Sequence, residues 1–208
     1  MKFFCITTSH RAHLRPQMEA HFHERGVPVT FVQGVEGRKW GLDTVKSYAP
    51  GKRIPPGHIG LNLSHWQIWN MMDVMGIEDA AIMEDDVELC ERFGFKCAYW
   101  VGTKPVSTDL VFLGHVGTEP RITEQIQLGY HARATMPFGT HCYWLNLKAA
   151  RHLRDTCQEA RMNIDQQMWH SSLQTMDFTI ATPSLAGQRS YTNEWEQTCT
   201  GDWSTPSA

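Results

Sequence analysis

Three features of this sequence predict an α/β fold with a mainly parallel central sheet flanked by helices. The chain opens β-α-β: Phe3-Phe4-Cys5-Ile6 is a short apolar run, a helical pattern follows, and Val27 to Val32 is apolar again. Further apolar runs, too short for helices, recur downstream and read as strands buried on both faces. A length of 208 residues with 41% hydrophobic side chains suits one domain, in which roughly 70% of the unfolded chain's surface can be buried. Such a core holds without a disulfide or a metal, so a metal here would serve chemistry.

The first strand runs into polar Thr7-Thr8-Ser9-His10, a strand-to-helix loop. The first helix starts near Pro16, which suits a first helical turn, carries Met18 and Phe22 one turn apart, and stops at Gly26. From Trp40 to Gly57 the periodicity fails, and Pro50, Gly51, Pro55, Pro56 and Gly57 mark a loop expected to move. A long helix follows with Leu61, His65, Ile68, Met72 and Met75 on one stripe, Trp66 and Trp69 beside it, and Gly76 at its end. Ala80 to Met83 is a buried strand that ends in Glu84-Asp85-Asp86, at the strand end where an open α/β sheet places its ligand. Leu110 to Leu113 is the next strand, followed by a polar stretch without a period through Gly129. His141 to Leu147 has strand composition, Lys148 to Cys157 reads as a helix with Ala149, Ala150 and Leu153 inward, and Phe178 to Ala181 is the last strand. Residues 1–190 therefore make the domain and 191–208 an irregular tail, and no internal repeat appears.

Nineteen Lys and Arg against 22 Asp and Glu give a net charge of -3, and the cations are scattered. That balance offers no field for a phosphate backbone and argues against a nucleic-acid partner. No uncharged apolar run approaches the ~20 residues that span a bilayer. The apolar start is too short for a signal-peptide core, and the expectation is a cytoplasmic protein without a transmembrane segment. The six cysteines lack a C-x-x-C pair, which favours reduced thiols over a zinc site. Eight tryptophans serve either as core or as flat platforms for sugars and bases.

Three adjacent acids need a reason, because like charges repel. In an extended chain Glu84 and Asp86 would share one face, where two carboxylates hold Mg²⁺ or Mn²⁺ with positions left for phosphate oxygens. The competing reading is a helix N-terminus, with Asp85 or Asp86 capping a helix through Val87, Leu89 and Arg92. His65 on an apolar stripe is a satisfied core histidine or a ligand, and Ser64 beside it is equally open. Arg11 and Arg15 clamp a phosphate or are simply solvated. Asp165 is a helix N-cap or a carboxylate facing a cleft.

Taken in order, these segments resemble glycosyltransferase family 25, which includes bacterial lipooligosaccharide β-galactosyltransferases and collagen galactosyltransferases. The resemblance rests on Phe4 to Arg11, on Gly60-Leu61-Asn62-Leu63-Ser64-His65 with Trp69, and on Ala81-Ile82-Met83-Glu84-Asp85-Asp86-Val87. Asp109 to Leu113, Gly139-Thr140 with Tyr143, Asp165, and Pro183 with Gln188 extend it over most of residues 3–190. Thr7-Thr8 stands where the family has Asn-Leu, and Asn163-Ile164 replaces the Pro before the aspartate.

The resemblance implies a single GT-A-type nucleotide-sugar-binding domain that moves galactose or glucose from a UDP-sugar, with inversion, to a glycan, glycolipid or protein hydroxyl, in lipopolysaccharide biosynthesis for example. It implies Mn²⁺ or Mg²⁺ on Asp86 and Glu84, helped by Asp85, and Asp165 as the base. Thr7, Thr8, Ser9 and Arg11 would line the nucleotide end, Ser64 and His65 would lie near the donor with Gln188, and Gly139 and Thr140 would shape the sugar end. A lipid-linked acceptor would bring the protein to a membrane surface. Two other readings stay open: a non-catalytic sugar-nucleotide-binding or interaction module of the same fold, and a nucleotidyltransferase or sugar-nucleotide hydrolase. Trp40, Trp195 and Trp203 fall in irregular segments suited to stacking on an acceptor, whereas Trp66 and Trp69 suit packing and Trp144 suits core or cleft.

Overall fold

In the computed structural model, which describes residues 1–40, 44, 47–49, 54–115, 121–127, 131–134, 139–172 and 175–189, the first apolar run becomes strand β1 (Lys2–Thr7). Its side chains alternate between two cores: Phe4 and Ile6 join one, Phe3 and Cys5 the other. A strand buried on both faces has no polar alternation to display, hence the continuous apolar run. Parallel neighbours β2 (Val29–Gln33) and β3 (Asp79–Glu84) flank it. Between β1 and β2 run a 3₁₀ turn (Ser9–Leu14) and helix α1 (Arg15–Glu24), with Pro16 in its first turn and Met18 and Phe22 buried, as their spacing predicts.

Helix α2 (Pro56–Met75) ends at Gly76, which takes the left-handed conformation (φ 63°) that a C-terminal cap asks for. His65, Ile68, Trp69 and Met72 are fully buried, but Met75 is 66% exposed, so the apolar stripe stops a turn early. After β3 come β4 (Val87–Leu89), α3 (Phe93–Thr103), β5 (Leu110–Phe112), β6 (Ile122–Gln127), β7 (His131–Ala134) and β8 (Cys142–Asn146). Helices α4 (Leu147–Thr156) and α5 (Ile164–Ser172) and strands β9 (Phe178–Ala181) and β10 (Ala186–Gln188) complete the described chain. Asn146 caps α4 by accepting the Ala149 N–H at 2.8 Å, and Ala149, Ala150 and Leu153 face inward as expected.

The eight-stranded sheet runs β2-β1-β3-β8-β5-β9-β7-β6. Only β8 and β7 oppose the common direction, so the sheet is mainly parallel by strand direction. Helices α2, α4 and α5 cover one face and α1 and α3 the other.

Four expectations need correction. The polar stretch through Gly129 contains β6, which pairs antiparallel with β7 just beyond it and whose side chains are largely exposed; an outermost strand wetted on both faces needs no apolar run. A strand also follows β9, since β10 pairs antiparallel with β4 in a separate ribbon. No helix runs through Val87 and Leu89: both are buried with half-buried Glu88 between them, the period of a strand, and α3 starts only at Phe93. The first β-α-β unit closes on a strand that begins at Val29 and not at Val27.

Cys5, Cys90, Cys97, Cys142 and Cys157 are free thiols. Trp69 and Trp144 are core, and Trp40 packs against Tyr48 with ring centroids 5.3 Å apart. Trp195, Trp203 and the tail as a whole, with parts of the 40–57 loop, lie outside the described residues.

Candidate functional site

The period of two along β3 and the turn after it send the three acids in three directions. Ile82 faces the α2 side of the sheet, so Glu84 does too, and there its Oε1 accepts from the Thr140 hydroxyl and lies 3.4 Å from His65 Nε2. The backbone then leaves extended geometry. Asp85 and Asp86 form the turn into β4, so the expected shared face of Glu84 and Asp86, which assumed an extended chain, does not form. Asp85 pairs with Arg11 of the 3₁₀ turn after β1. Asp86 points to the β4–β10 ribbon, where Gln188 Nε2 donates to its Oδ2 at 2.8 Å and the Arg189 N–H donates to its carbonyl at 2.8 Å. Its other carboxylate oxygen, Oδ1, is buried and has no partner.

These surroundings set the charges. Burial opposes ionisation of Glu84, yet the contacts from His65 and Thr140 prevail and hold its pKa below the ordinary value. Burial raises Asp85, against the pull of Arg11. Burial, reinforced by the Glu84 charge, pushes Asp86 up to about 7. A cation beside Asp86 would supply what the fold withholds.

His65 is a core residue: Nδ1 meets the Tyr143 hydroxyl at 2.8 Å, and that hydroxyl also accepts Trp69 Nε1–H at 3.1 Å. Trp69, Tyr143, His65, Glu84 and Thr140 thus form one polar chain through the α2 face of the sheet. Ser64 is equally structural, donating to the Gly60 carbonyl at 2.7 Å and accepting the Val35 N–H at 2.8 Å. It ties α2 to the segment leaving β2.

The other expected residues gather at the same strand ends. Thr7 closes β1 and is buried, and Thr8 Oγ1 lies 3.0 Å from His10 Nδ1. Ser9 donates both its N–H and its hydroxyl to Glu36, which Lys39 also contacts. The Lys39 and Ser9 contacts hold Glu36 down to about 2. Sequence reasoning passed over Glu36, whose one signal is its place three residues beyond β2. Asp165, in the first turn of α5, accepts the Gly139 N–H at 3.1 Å on Oδ2 and the Gln166 N–H at 2.8 Å on Oδ1. Through Gly139 and Thr140 the α5 aspartate is linked to the end of β3. His141, next in the chain, is buried with Nδ1 unpartnered and was also missed.

Among the described residues no three His, Cys, Asp or Glu side chains converge as a finished metal cage. What fits a divalent cation is Asp86 Oδ1, one orphaned oxygen on a carboxylate held from its other side. Mg²⁺ and Mn²⁺ accept few protein carboxylates and fill their remaining positions with water and substrate phosphate.

Comparison with known proteins places these observations. The model of glycosyltransferase family 25 (LPS biosynthesis protein) matches residues 1–113. A rat protein, "Probable inactive glycosyltransferase 25 family member 3", is 27% identical over 165 residues, covering 72% of this chain and 29% of its own length. An Aedes aegypti "Glycosyltransferase 25 family member" is 26% identical over 168 residues, 72% of this chain and 27% of that protein. The chain thus spans less than a third of the length of these curated relatives. Among solved structures, A197 from STIV aligns with a TM-score of 0.50 at 10% identity, covering 92% of this chain and 86% of that one. A glycosyltransferase involved in glycosylation of the major capsid of PBCV-1 also aligns at 0.50, with 8% identity, 86% of this chain and 81% of that one covered. These likenesses show a shared α/β fold.

Proposed function

Because the chain belongs to glycosyltransferase family 25, we propose that it transfers galactose or glucose from a UDP-sugar, with inversion, to a hydroxyl of a glycan, glycolipid or protein acceptor. The observation that carries this reading is Asp86, a buried carboxylate at the carboxyl end of a parallel strand with one oxygen held by Gln188 and the other orphaned. Asp86 is the residue that would hold Mn²⁺ or Mg²⁺. Such an ion, when bound, neutralises charge on a departing diphosphate. Glu84, committed to Thr140 and His65, supports the wall of the site in place of ligating.

Thr7, Thr8, Ser9 and Arg11 share the strand ends with Asp86 and form the nucleotide end of the site. Gly139 and Thr140, pinned between Asp165 and Glu84, shape the end that receives the sugar. A single displacement with inversion needs a base to take the acceptor proton as the new bond forms. Asp165 is assigned that role: each of its oxygens accepts one main-chain N–H and keeps a lone pair for the proton.

The test joins binding to turnover. UDP, UDP-galactose and UDP-glucose should raise the thermal midpoint with Mn²⁺ present and much less without it, by mass action on the folded state. Asp86→Asn should abolish the Mn²⁺ dependence; full transfer by that variant at saturating Mn²⁺ would overturn the metal assignment. Asp165→Asn should slow transfer by about 10²–10⁴-fold, and a loss under threefold removes it as the base. The relatives named inactive favour a second reading, a sugar-nucleotide-binding module without turnover. Nucleotide-dependent stabilisation with no sugar transfer to any acceptor selects it.

A further inference from the structure

Helix α3 presents uncharged surface on the side turned away from the core. Its inner residues Phe93, Cys97 and Trp100 are buried against the sheet. On the outer side Phe95 is 65% exposed and Tyr99 43%, with exposed Ala98 and Gly102 beside them. Val106, in the turn that follows the helix, is fully exposed as well. A surface helix that covers a core on one face is ordinarily polar on the other, so an apolar outer face marks a docking surface.

Charge identifies the occupant. Residues 92–106 contain Arg92, Lys96 and Lys104 and no acid, with Glu91 just outside, in a chain whose net charge is -3. The Arg92 guanidinium lies over the exposed Phe95 ring at 5.2 Å, a cation held against the stripe itself, whereas the Lys104 ammonium rests on the ring of buried Trp144 at 4.8 Å. An exposed aromatic and aliphatic stripe bracketed by cations fits the headgroup layer of an anionic bilayer, where rings sit at the interface and Lys and Arg meet lipid phosphates. We infer that the outer face of α3, from Arg92 to Val106, is a membrane-docking surface for anionic lipid.

The mount is rigid. The Gly94 N–H donates to the Arg25 carbonyl at 2.9 Å, and a Cβ at Gly94 would collide with the Gly26 carbonyl. The start of α3 is thereby locked to the end of α1, and lipid bound along α3 would orient the whole sheet.

Co-sedimentation of the chain with vesicles tests this without reference to sugar transfer. The wild type should pellet with phosphatidylcholine vesicles containing 40% phosphatidylglycerol and stay in solution with pure phosphatidylcholine. Arg92→Gln with Lys96→Gln should weaken binding about 30-fold, two cations' worth of attraction to an anionic leaflet. Phe95→Ser with Val106→Ser should weaken it at least tenfold, with the thermal midpoint unchanged in both double variants to show that they fold. Equal binding of wild type and variants, or no binding of the wild type to anionic vesicles, overturns the proposal. Concentration-dependent self-association abolished by Phe95→Ser with Val106→Ser would do so as well, assigning the face to a second copy.

Discussion

Burial and the Glu84 charge push the Asp86 pKa to about 7 in the folded chain, whereas an unfolded aspartate ionises near 4. Between those values the folded state holds the extra proton, so the stability this group contributes is complete below pH 4 and is lost as pH rises through about 7. The full loss is at most about 4 kcal/mol. Glu84 acts in the opposite sense: its folded pKa is lowered, so its contribution is present above the ordinary carboxylate range and lost as pH falls through the folded value. Asp86→Asn should therefore outlast the wild type in urea at pH 8 and match it near pH 4, and Mn²⁺ at pH 8 should recover part of the deficit in the wild type alone. Identical pH profiles for the two proteins would place the instability elsewhere. That the three adjacent acids close a buried strand was legible from the residues alone. Their separate tasks were not, because a turn after Glu84 depends on what Asp85 and Asp86 meet, namely Arg11 and Gln188.

Two elements hold the site through contacts that no local pattern announces. In the β4–β10 ribbon, Gln188 pairs with Val87 and its side chain fixes Asp86. Outer contacts to a ligating carboxylate are commonly worth 10–100-fold in metal affinity. Gln188→Leu should weaken Mn²⁺ by that factor in an electron paramagnetic resonance titration, with the fold intact by circular dichroism; unchanged affinity would release Gln188 from this role. Helix α2 meets the segment after β2 so closely that a Cβ on Gly60 would strike the Val35 carbonyl oxygen and the Gly37 nitrogen. Alanine within a helix ordinarily gains about 1 kcal/mol over glycine. Here the obstacles are backbone atoms that cannot swing aside, and overpacking costs about 1–3 kcal/mol. Gly60→Ala should therefore lower stability, and a urea midpoint above wild type would show that the joint can open. Long elements such as α2 and β3 were readable from their periods. The hairpin β6–β7 and the three-residue β10 were not, since a wetted strand and a very short one carry no apolar signature.

At the scale of the molecule, six parallel-running strands bring the ends of β1, β2 and β3 to one rim, with Thr140 and Asp165 delivered there by β8 and α5. The order of β1, α1, β2, α2, β3, β5, β8, α4 and β9, the mainly parallel sheet, the family and the strand end that carries the acids follow from the linear chain, because periodicity and strand-end chemistry are local properties; β4 and α3 do not. Tertiary structure alone decides that Glu84 faces His65 and Thr140, that Asp86 keeps one oxygen free, and that Ser64 and His65 serve as joints of the core. The reason is physical: a carboxylate's role depends on its desolvation and its partners, and those partners lie 56, 74 and 102 residues away along the chain.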